Sequence, residues 1–332
     1  MSDPKIGILG DGGWGTTLAV LLSAKGLDVT LWGAFSDYTQ QMSRTRLNPR
    51  FLPGVKLPRK IKLTNDLKAA VTDKEIIVLA VPSQYTRAVL KKIRLNKCAG
   101  KCIYLSVTKG IEVGTLKRIS EVIKEELGPV KIAVLSGPTI AGEVARGIPT
   151  TAVVASPDKK IRKYIQEVFN TGSFRVYTNP DVIGVELGGS LKNVIAIACG
   201  VSDGLKFGTN TKAAILSRGL AEISRLGSAM GARHKTFSGI SGLGDLVTTC
   251  ISTQSRNRFV GEQIGKGRTL KEISKHMQMI AEGVPTAKSA YTLSLKYKVQ
   301  MPITREVYML LYRNKSPRQA VVDLMSRQSK EE

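Results

Sequence analysis

Lys5-Ile6-Gly7-Ile8-Leu9-Gly10-Asp11-Gly12-Gly13-Trp14-Gly15 is a short apolar run entering a glycine-rich turn, with Gly10, Gly12 and Gly15 at the G-x-G-x-x-G offsets. The stretch after it, Thr17 to Ala24, reads as a helix. Strand, glycine turn and helix in that order are the first unit of a dinucleotide-binding fold, in which each glycine has its own task. Gly10 makes the tight turn, Gly12 lets backbone approach a pyrophosphate, and Gly15 allows close packing of helix on strand. The anion lies at the helix N-terminus, where free N–H groups and the dipole favour negative charge. A plain structural turn is the alternative; the strand before and the helix after favour binding.

A length of 332 residues predicts two domains. The formal charge of +24, from 50 Lys+Arg against 26 Asp+Glu, calls for an anionic partner: nucleic acid, an anionic membrane surface or a small anionic substrate. The basic residues are spread along the chain and aromatics make up only 5%, with no interleaved nucleic-acid-reading motif. A small substrate is therefore preferred and no nucleic acid is expected, a dinucleotide-sensing nucleic-acid binder being the alternative from another class. Cys98 and Cys102 form one C-x3-C pair, and Cys199 and Cys250 stand apart, so no metal is expected and the thiols read as free in a reducing compartment. His234 and His276 are the only histidines, which leaves acid–base work to Lys, Asp, Glu, Tyr or Cys. The N-terminus runs straight into the first strand, and no uninterrupted membrane span is evident; the expectation is a cytoplasmic protein without stable membrane insertion.

Asp28–Trp32 reads as the second strand, yet it ends in Gly33-Ala34-Phe35 where an NAD site usually carries an acid. Asp37 is the nearest one. Arg44, Arg46 and Arg50 are either surface charges or groups within reach of a 2′-phosphate, so NADH and NADPH both stay open. Further strands read at Glu75–Val81, Cys102–Val107, Ile132–Leu135, Thr151–Ala155 and Phe174–Tyr177, with a helix from Ile161 to Phe169. Ligands of open α/β sheets bind at the carboxyl ends of strands. Lys109 sits at such an end, as a ligand-binding or a solvated loop lysine. Past Pro180 the apolar period becomes helical. The expected fold is α/β, with an N-terminal Rossmann-like dinucleotide-binding domain over 1–185 followed by an all-α substrate domain over 186–332.

In the helical half, Val182 to Val201 is nearly apolar all round and so central. Lys192 lies in its middle, and steps of three and four reach Val185, Gly188, Gly189, Ile195, Ala196 and Cys199. That face leaves room for a ligand and solvates the ammonium poorly, which suits general acid–base chemistry; a snorkelling lysine is the alternative. Glycines inside a helix each cost about 1 kcal/mol relative to alanine, which points to close packing or a ligand. Asp245, in Gly242-Leu243-Gly244-Asp245, reads as a helix cap or as the partner of a buried lysine. Ser255-Arg256-Asn257-Arg258 opens a helix with two guanidinium groups and an amide, chemistry suited to phosphate or to plain surface charge. Glu282 has no signal beyond adjoining Gly283.

Taken in order, Gly10 to Gly15, Val107-Thr108-Lys109-Gly110, Leu135-Ser136-Gly137-Pro138-Thr139, Glu186 to Ile197, Gly242 to Leu246 and Gln254 to Arg258 resemble the bacterial NAD(P)-dependent glycerol-3-phosphate dehydrogenases. The resemblance runs to Met301-Pro302-Ile303-Thr304 and beyond. It implies reversible reduction of dihydroxyacetone phosphate to sn-glycerol 3-phosphate with NAD(P)H and no metal, feeding glycerophospholipid synthesis, in a homodimer. It makes Lys192 the proton donor or acceptor, and sets Lys109, Gly137, Thr139 and Asp245 against the small phosphorylated substrate. Ser255, Arg256 and Asn257 match the phosphate-binding run. Gly13, Trp14, Ala141, Ile280 and Glu282 match dinucleotide contacts, with Lys109 and Arg256 also near the cofactor. Ala34 departs from the pattern: relatives often carry His or Arg there near the adenosine ribose. A β-hydroxy-acid dehydrogenase of the same two-domain build is the alternative within enzymes, and the Ser255–Arg258 run and the Gly242–Asp245 motif argue against it.

Overall fold

From Ile6 onward the strand Lys5–Leu9 (β1) is buried on both faces, as a central strand of a parallel sheet must be. A computed structural model of the chain describes residues 3–95, 102–277, 281–329 and 331, with Leu95 and His276 described by backbone alone. Cys98 and Ile280 lie outside the described residues. The chain forms two compact units, residues 1–109 with 117–186, and residues 110–116 with 187–332.

The first unit is built on an eight-stranded sheet. Its strands follow β1 as Asp28–Trp32 (β2), a hairpin of Leu47–Asn48 (β3) and Leu52–Lys56 (β4) outside the sheet, Lys62–Thr64 (β5), Ile76–Leu79 (β6), Ile103–Ser106 (β7), Lys131–Ser136 (β8), Thr150–Ala155 (β9) and Phe174–Asn179 (β10). The order is β10-β9-β8-β7-β6-β1-β2-β5, all parallel except the antiparallel pair β8–β9. The chain winds outward from β1 through β2 to β5, then returns to β6 on the other side. The switch point therefore lies between β1 and β6, where such sheets open a crevice at the strand ends. The edge strand β5 and the hairpin are not apparent in the sequence, because they are short and carry mostly polar residues, Pro53 and Gly54.

The first helix begins at Gly13, four residues before the expected Thr17, with Gly12 extended as its N-cap. Gly10 has φ +116°, a left-handed region that side chains avoid. A β-carbon on Gly15 would lie 2.0 Å from the Gly10 carbonyl oxygen, and one on Gly10 2.7 Å from that of Ala80 just past β6. Helix, turn and switch point are thus stacked at a spacing that only glycine permits.

Helices make up every named element of the second unit among the described residues. The segment Gly110–Leu116, expected with the first half, belongs here: Ile111 is fully buried, and Ser289 Oγ donates to the Ile111 and Glu112 carbonyls at 3.4 and 3.5 Å. The central helix Val182–Gly204 is long and apolar enough to cross a membrane, but its most apolar window is 83% buried within the protein, the mark of a core helix. It crosses the helix Arg256–Gly265 backbone against backbone. β-carbons on Gly200 and Gly261 would each stand 2.0 Å from a carbonyl oxygen of the opposite helix, of Arg258 and Ile197 respectively, and Gly204 and Gly265 repeat the contact one turn on.

Gly261→Ala is expected to lower the stability of the second unit by about 1–3 kcal/mol, because neither backbone is able to yield a β-carbon's width. Urea unfolding followed by circular dichroism measures it, with Gly172→Ala, whose β-carbon would meet nothing within 4 Å, as the near-neutral reference.

Candidate active site

In the first unit the glycine turn is fixed from below by a residue with no signal in the sequence. Asn48, fully buried in β3, donates through Nδ2 to the Asp11 carbonyl and to Thr16 Oγ1, both at 2.8 Å. Its Oδ1 accepts from Tyr38 Oη at 2.6 Å and from Phe51 N at 3.2 Å. A β-carbon on Gly12 would meet nothing within 4 Å, so a cradle stands open at the helix N-terminus, the shape and polarity a pyrophosphate requires. A β-carbon on Gly13 would lie 2.7 Å from the Phe51 carbonyl oxygen and 3.7 Å from Ala141 Cβ, and Thr17 Oγ1 donates to the Ala141 carbonyl at 3.0 Å. Gly13 and Ala141 are therefore neighbours. Trp14 packs on the core with its ring centroid 6.3 Å from that of Phe174, and its indole Nε1 is buried without a hydrogen-bond partner. Ala34 is exposed just past β2. Arg46 is committed elsewhere: its guanidinium donates to the carbonyls of Leu57, Pro58 and Ile61, which removes it from the groups that could meet a 2′-phosphate.

Lys109, Gly137 and Thr139 come together at the carboxyl ends of β7 and β8. Lys109 Nζ donates to the Gly137 carbonyl at 2.7 Å and to Thr139 Oγ1 at 3.3 Å. Gly137 presents that carbonyl by adopting φ +144°. The ammonium is half-buried at this strand end, with the Gly137 carbonyl and Thr139 hydroxyl among its acceptors.

In the second unit Lys192 Nζ donates to Asp245 Oδ1 at 2.5 Å and to Thr249 Oγ1. Both ionic side chains are buried, 6% and 1% exposed. Asp245 opens the helix Asp245–Ile251 without capping it; of the two sequence readings, the structure has the partner of the buried lysine. Thr249, one turn along the same helix, completes the arrangement. Its hydroxyl proton goes to the Asp245 carbonyl at 2.7 Å, which leaves its lone pairs to receive Lys192. The small residues of the central helix serve contact: a β-carbon on Gly188 would sit 2.6 Å from the Ser241 carbonyl oxygen, in the π-helical turn Ile240–Gly244 that leads into Asp245.

The Ser255–Arg258 run divides its labour. Ser255 Oγ caps its helix by accepting from Arg258 N at 3.2 Å, and Arg258 Nε pairs with Asp203 at 2.6 Å. Asn257 has both ends of its amide engaged, donating to Asn193 Oδ1 at 2.8 Å and accepting from Gly283 N at 2.9 Å. That clamp ties the residue after Arg256 to the residue after Lys192. Arg256 itself remains exposed, yet crowding by the protein lowers its guanidinium from the ordinary value while the carboxylate of Glu282 opposes the change. No group of three or more potential metal-ligating side chains is present among the described residues.

Residues 5–162 match the N-terminal family model, and 181–322 the C-terminal family model, of NAD-dependent glycerol-3-phosphate dehydrogenase. The chain belongs to the NAD-dependent glycerol-3-phosphate dehydrogenase family. It is 52% identical over 330 residues to the glycerol-3-phosphate dehydrogenase [NAD(P)+] of Prosthecochloris aestuarii, covering 98% of this chain and 99% of that one. The enzyme of the same description from Citrifermentans bemidjiense is 50% identical, with 99% and 98% covered. The crystal structure of glycerol-3-phosphate dehydrogenase from Coxiella burnetii superposes with a TM-score of 0.94 at 40% identity, covering 98% of this chain and 99% of that one.

Within this NAD(P)-dependent dehydrogenase family, two residues around the polar groups have no role in the motif reading, Thr249 and, inside the Glu186–Ile197 run, Asn193. Thr249 carries the only available signal, its place four residues after Asp245 on one helix face. Removing one member of a buried ion pair strands the other. Asp245→Ala is accordingly expected to destabilise the second unit by about 3–5 kcal/mol, measured by urea unfolding, with Asp245→Asn intermediate.

Proposed function

We propose that this chain reduces dihydroxyacetone phosphate to sn-glycerol 3-phosphate, reversibly, with Lys192 as the acid–base group. The observation that carries the assignment is the Lys192 ammonium, buried on an all-protein polar mount of Asp245 and Thr249. An ammonium has three protons. Two are directed at Asp245 and Thr249, and the third is the one to give to an oxygen becoming an alkoxide.

When bound, the reduced nicotinamide supplies the hydride. The glycine turn holds the pyrophosphate, with Gly10, Gly12, Gly13, Trp14, Gly15, Ala34, Ala141 and Glu282 as the residues assigned to the cofactor and Ile280 outside the described residues. Lys192 delivers its proton to the substrate oxygen as negative charge builds there, and accepts it back in the reverse direction. Asp245 keeps Nζ in place between turnovers. Lys109, mounted on Gly137 and Thr139, is a second positive charge assigned to the substrate, worth most where water is excluded. Arg256 offers a planar pair of donors that matches a phosphate; Ser255 and Asn257 hold its helix start in place and complete the phosphate-binding run. The product feeds glycerophospholipid synthesis. Cys102, Cys199 and Cys250 are buried free thiols, which supports residence in the reducing cytoplasm.

Oxidation of NADH or NADPH on addition of dihydroxyacetone phosphate tests the reaction. Lys192→Ala is expected to lower kcat by about 10²–10⁴, with the dissociation constant for the dinucleotide, read by its fluorescence, within about twofold of wild type. A normal kcat removes Lys192 from the chemistry. Arg256→Ala should raise KM for dihydroxyacetone phosphate by at least about tenfold, the value of a charge-assisted hydrogen bond, while turnover of unphosphorylated dihydroxyacetone is unchanged.

A further inference from the structure

The residue that would read the cofactor ribose from the end of β2 is missing, and the space for its side chain is filled from the glycine turn. A fingerprint of this kind places an acid about 20 residues on, at the end of the second strand. Here β2 ends at Trp32 and is followed by Gly33, Ala34 and Phe35. A β-carbon built on Gly33 would stand 2.5 Å from Asp11 Oδ2 and 3.0 Å from Asp11 Cγ. The Asp11 carboxyl therefore occupies the volume in which a side chain at position 33 would start.

Asp11 is held there. Gly10 N donates to the Trp32 carbonyl at 3.0 Å, which docks the turn on the end of β2. The Asp11 carbonyl accepts from Thr16 Oγ1 at 3.0 Å and from Asn48 Nδ2 at 2.8 Å. Asp11 is only 8% exposed, and its Oδ2 is buried with no hydrogen-bond partner. Burying an unpaired carboxyl oxygen is costly, so the group calls for a hydrogen-bond partner. Thr39 Oγ1, the other polar atom beside Gly33, is already donating to the Phe35 carbonyl at 3.0 Å.

We propose that Asp11 is the ribose-reading acid of this chain, contributed by the glycine turn in place of the end of β2, and that it selects NAD(H) over NADP(H). A ribose 2′-hydroxyl donates to the carboxylate. A 2′-phosphate has no proton to give at neutral pH and brings like charge against it. The cations that would reverse this preference are engaged or remote. Arg46 is bound to three carbonyls, and Arg50, over the Phe51 ring at 5.0 Å from its centroid, already has its charge acting on the Asp11 carboxyl. Arg44 is in the last turn of the helix Ser36–Thr45, eight residues and roughly 12 Å along the axis from its start. Burial raises the Asp11 carboxyl above its ordinary range while the charge of Arg50 opposes that shift, so a donor from the ribose is welcome to the ionised form.

The proposal rests on a dinucleotide occupying the glycine turn, and equilibrium titration separates the two. NADH and NADPH are titrated by fluorescence into the substrate-free protein, for wild type, Asp11→Asn, Asp11→Ala and Gly33→Ala, with thermal unfolding of each variant alongside. Wild type is expected to bind NADH at least about tenfold more tightly than NADPH, the value of one hydrogen bond to a charged group. Asp11→Asn and Asp11→Ala should bring the two dissociation constants within about threefold of each other. Gly33→Ala should do the same with Asp11 intact, because its β-carbon expels the carboxyl. Equal or tighter NADPH binding by wild type overturns the selection by Asp11, as does an unchanged ratio in the folded Asp11→Asn variant. Failure of wild type to bind either dinucleotide overturns the glycine-turn reading and the proposal with it.

Discussion

Main chain packed directly on main chain is the constraint on which both units depend. In the first, Gly15 lies over the Gly10 carbonyl and Gly10 over that of Ala80, so the N-terminus of the first helix is held tight above the switch between β1 and β6. In the second, Gly200, Gly204, Gly261 and Gly265 bring two helices together at a distance set by backbone atoms alone. Side-chain packing tolerates swaps of similar volume. Backbone contact has no such latitude, so the groups these helices carry are held at a closely defined spacing.

What that precision locates in the second unit is an expensive arrangement. Removing an ammonium and a carboxylate from water costs several kcal/mol per ion, and apolar residues of similar volume often stabilise a core as well or better. Lys192 and Asp245 are therefore poor choices if stability is the only purpose. Thr249 is part of the same logic: it adds a second acceptor without a second charge, fixing the direction of Nζ while leaving the net charge of the pair at zero. The outcome is an ammonium whose remaining proton has a defined heading, which is what a proton donor needs and a structural ion pair does not.

The sequence made the scaffold legible because its signals are local. Seven of the eight sheet strands carry an apolar or, in β10, an alternating pattern that marks them as strands, and the fingerprint glycines report backbone contacts at short separation. Lys192 was legible as an anomaly, a charge in an apolar helix. Polar side chains linking distant segments were not. Asn48 joins β3 to the glycine turn, Asn193 meets Asn257 across 64 positions, and Ser289 captures the segment Gly110–Leu116 from far along the chain. No periodicity records such pairings. Within the Ser255–Arg258 run, too, the separate tasks of consecutive residues leave no mark in the sequence: Ser255 caps a helix, Arg258 pairs with Asp203 and Asn257 clamps two segments.

Asp11 shows why a spacing rule and a spatial rule part company. The rule that puts an acid about 20 residues beyond the fingerprint describes where a side chain from the end of β2 reaches. Its physical content is a carboxylate at one point above the sheet. Removing the side chain at position 33 empties that point, and the turn after β1, docked on Trp32, is the neighbouring stretch of chain able to fill it. A carboxylate delivered from the turn is also stiffer than one at a strand end, since Asn48 and Thr16 both hold the Asp11 backbone. The hairpin and the absent side chain at Gly33 then belong to one device: the first fixes the acid, and the second makes room for it.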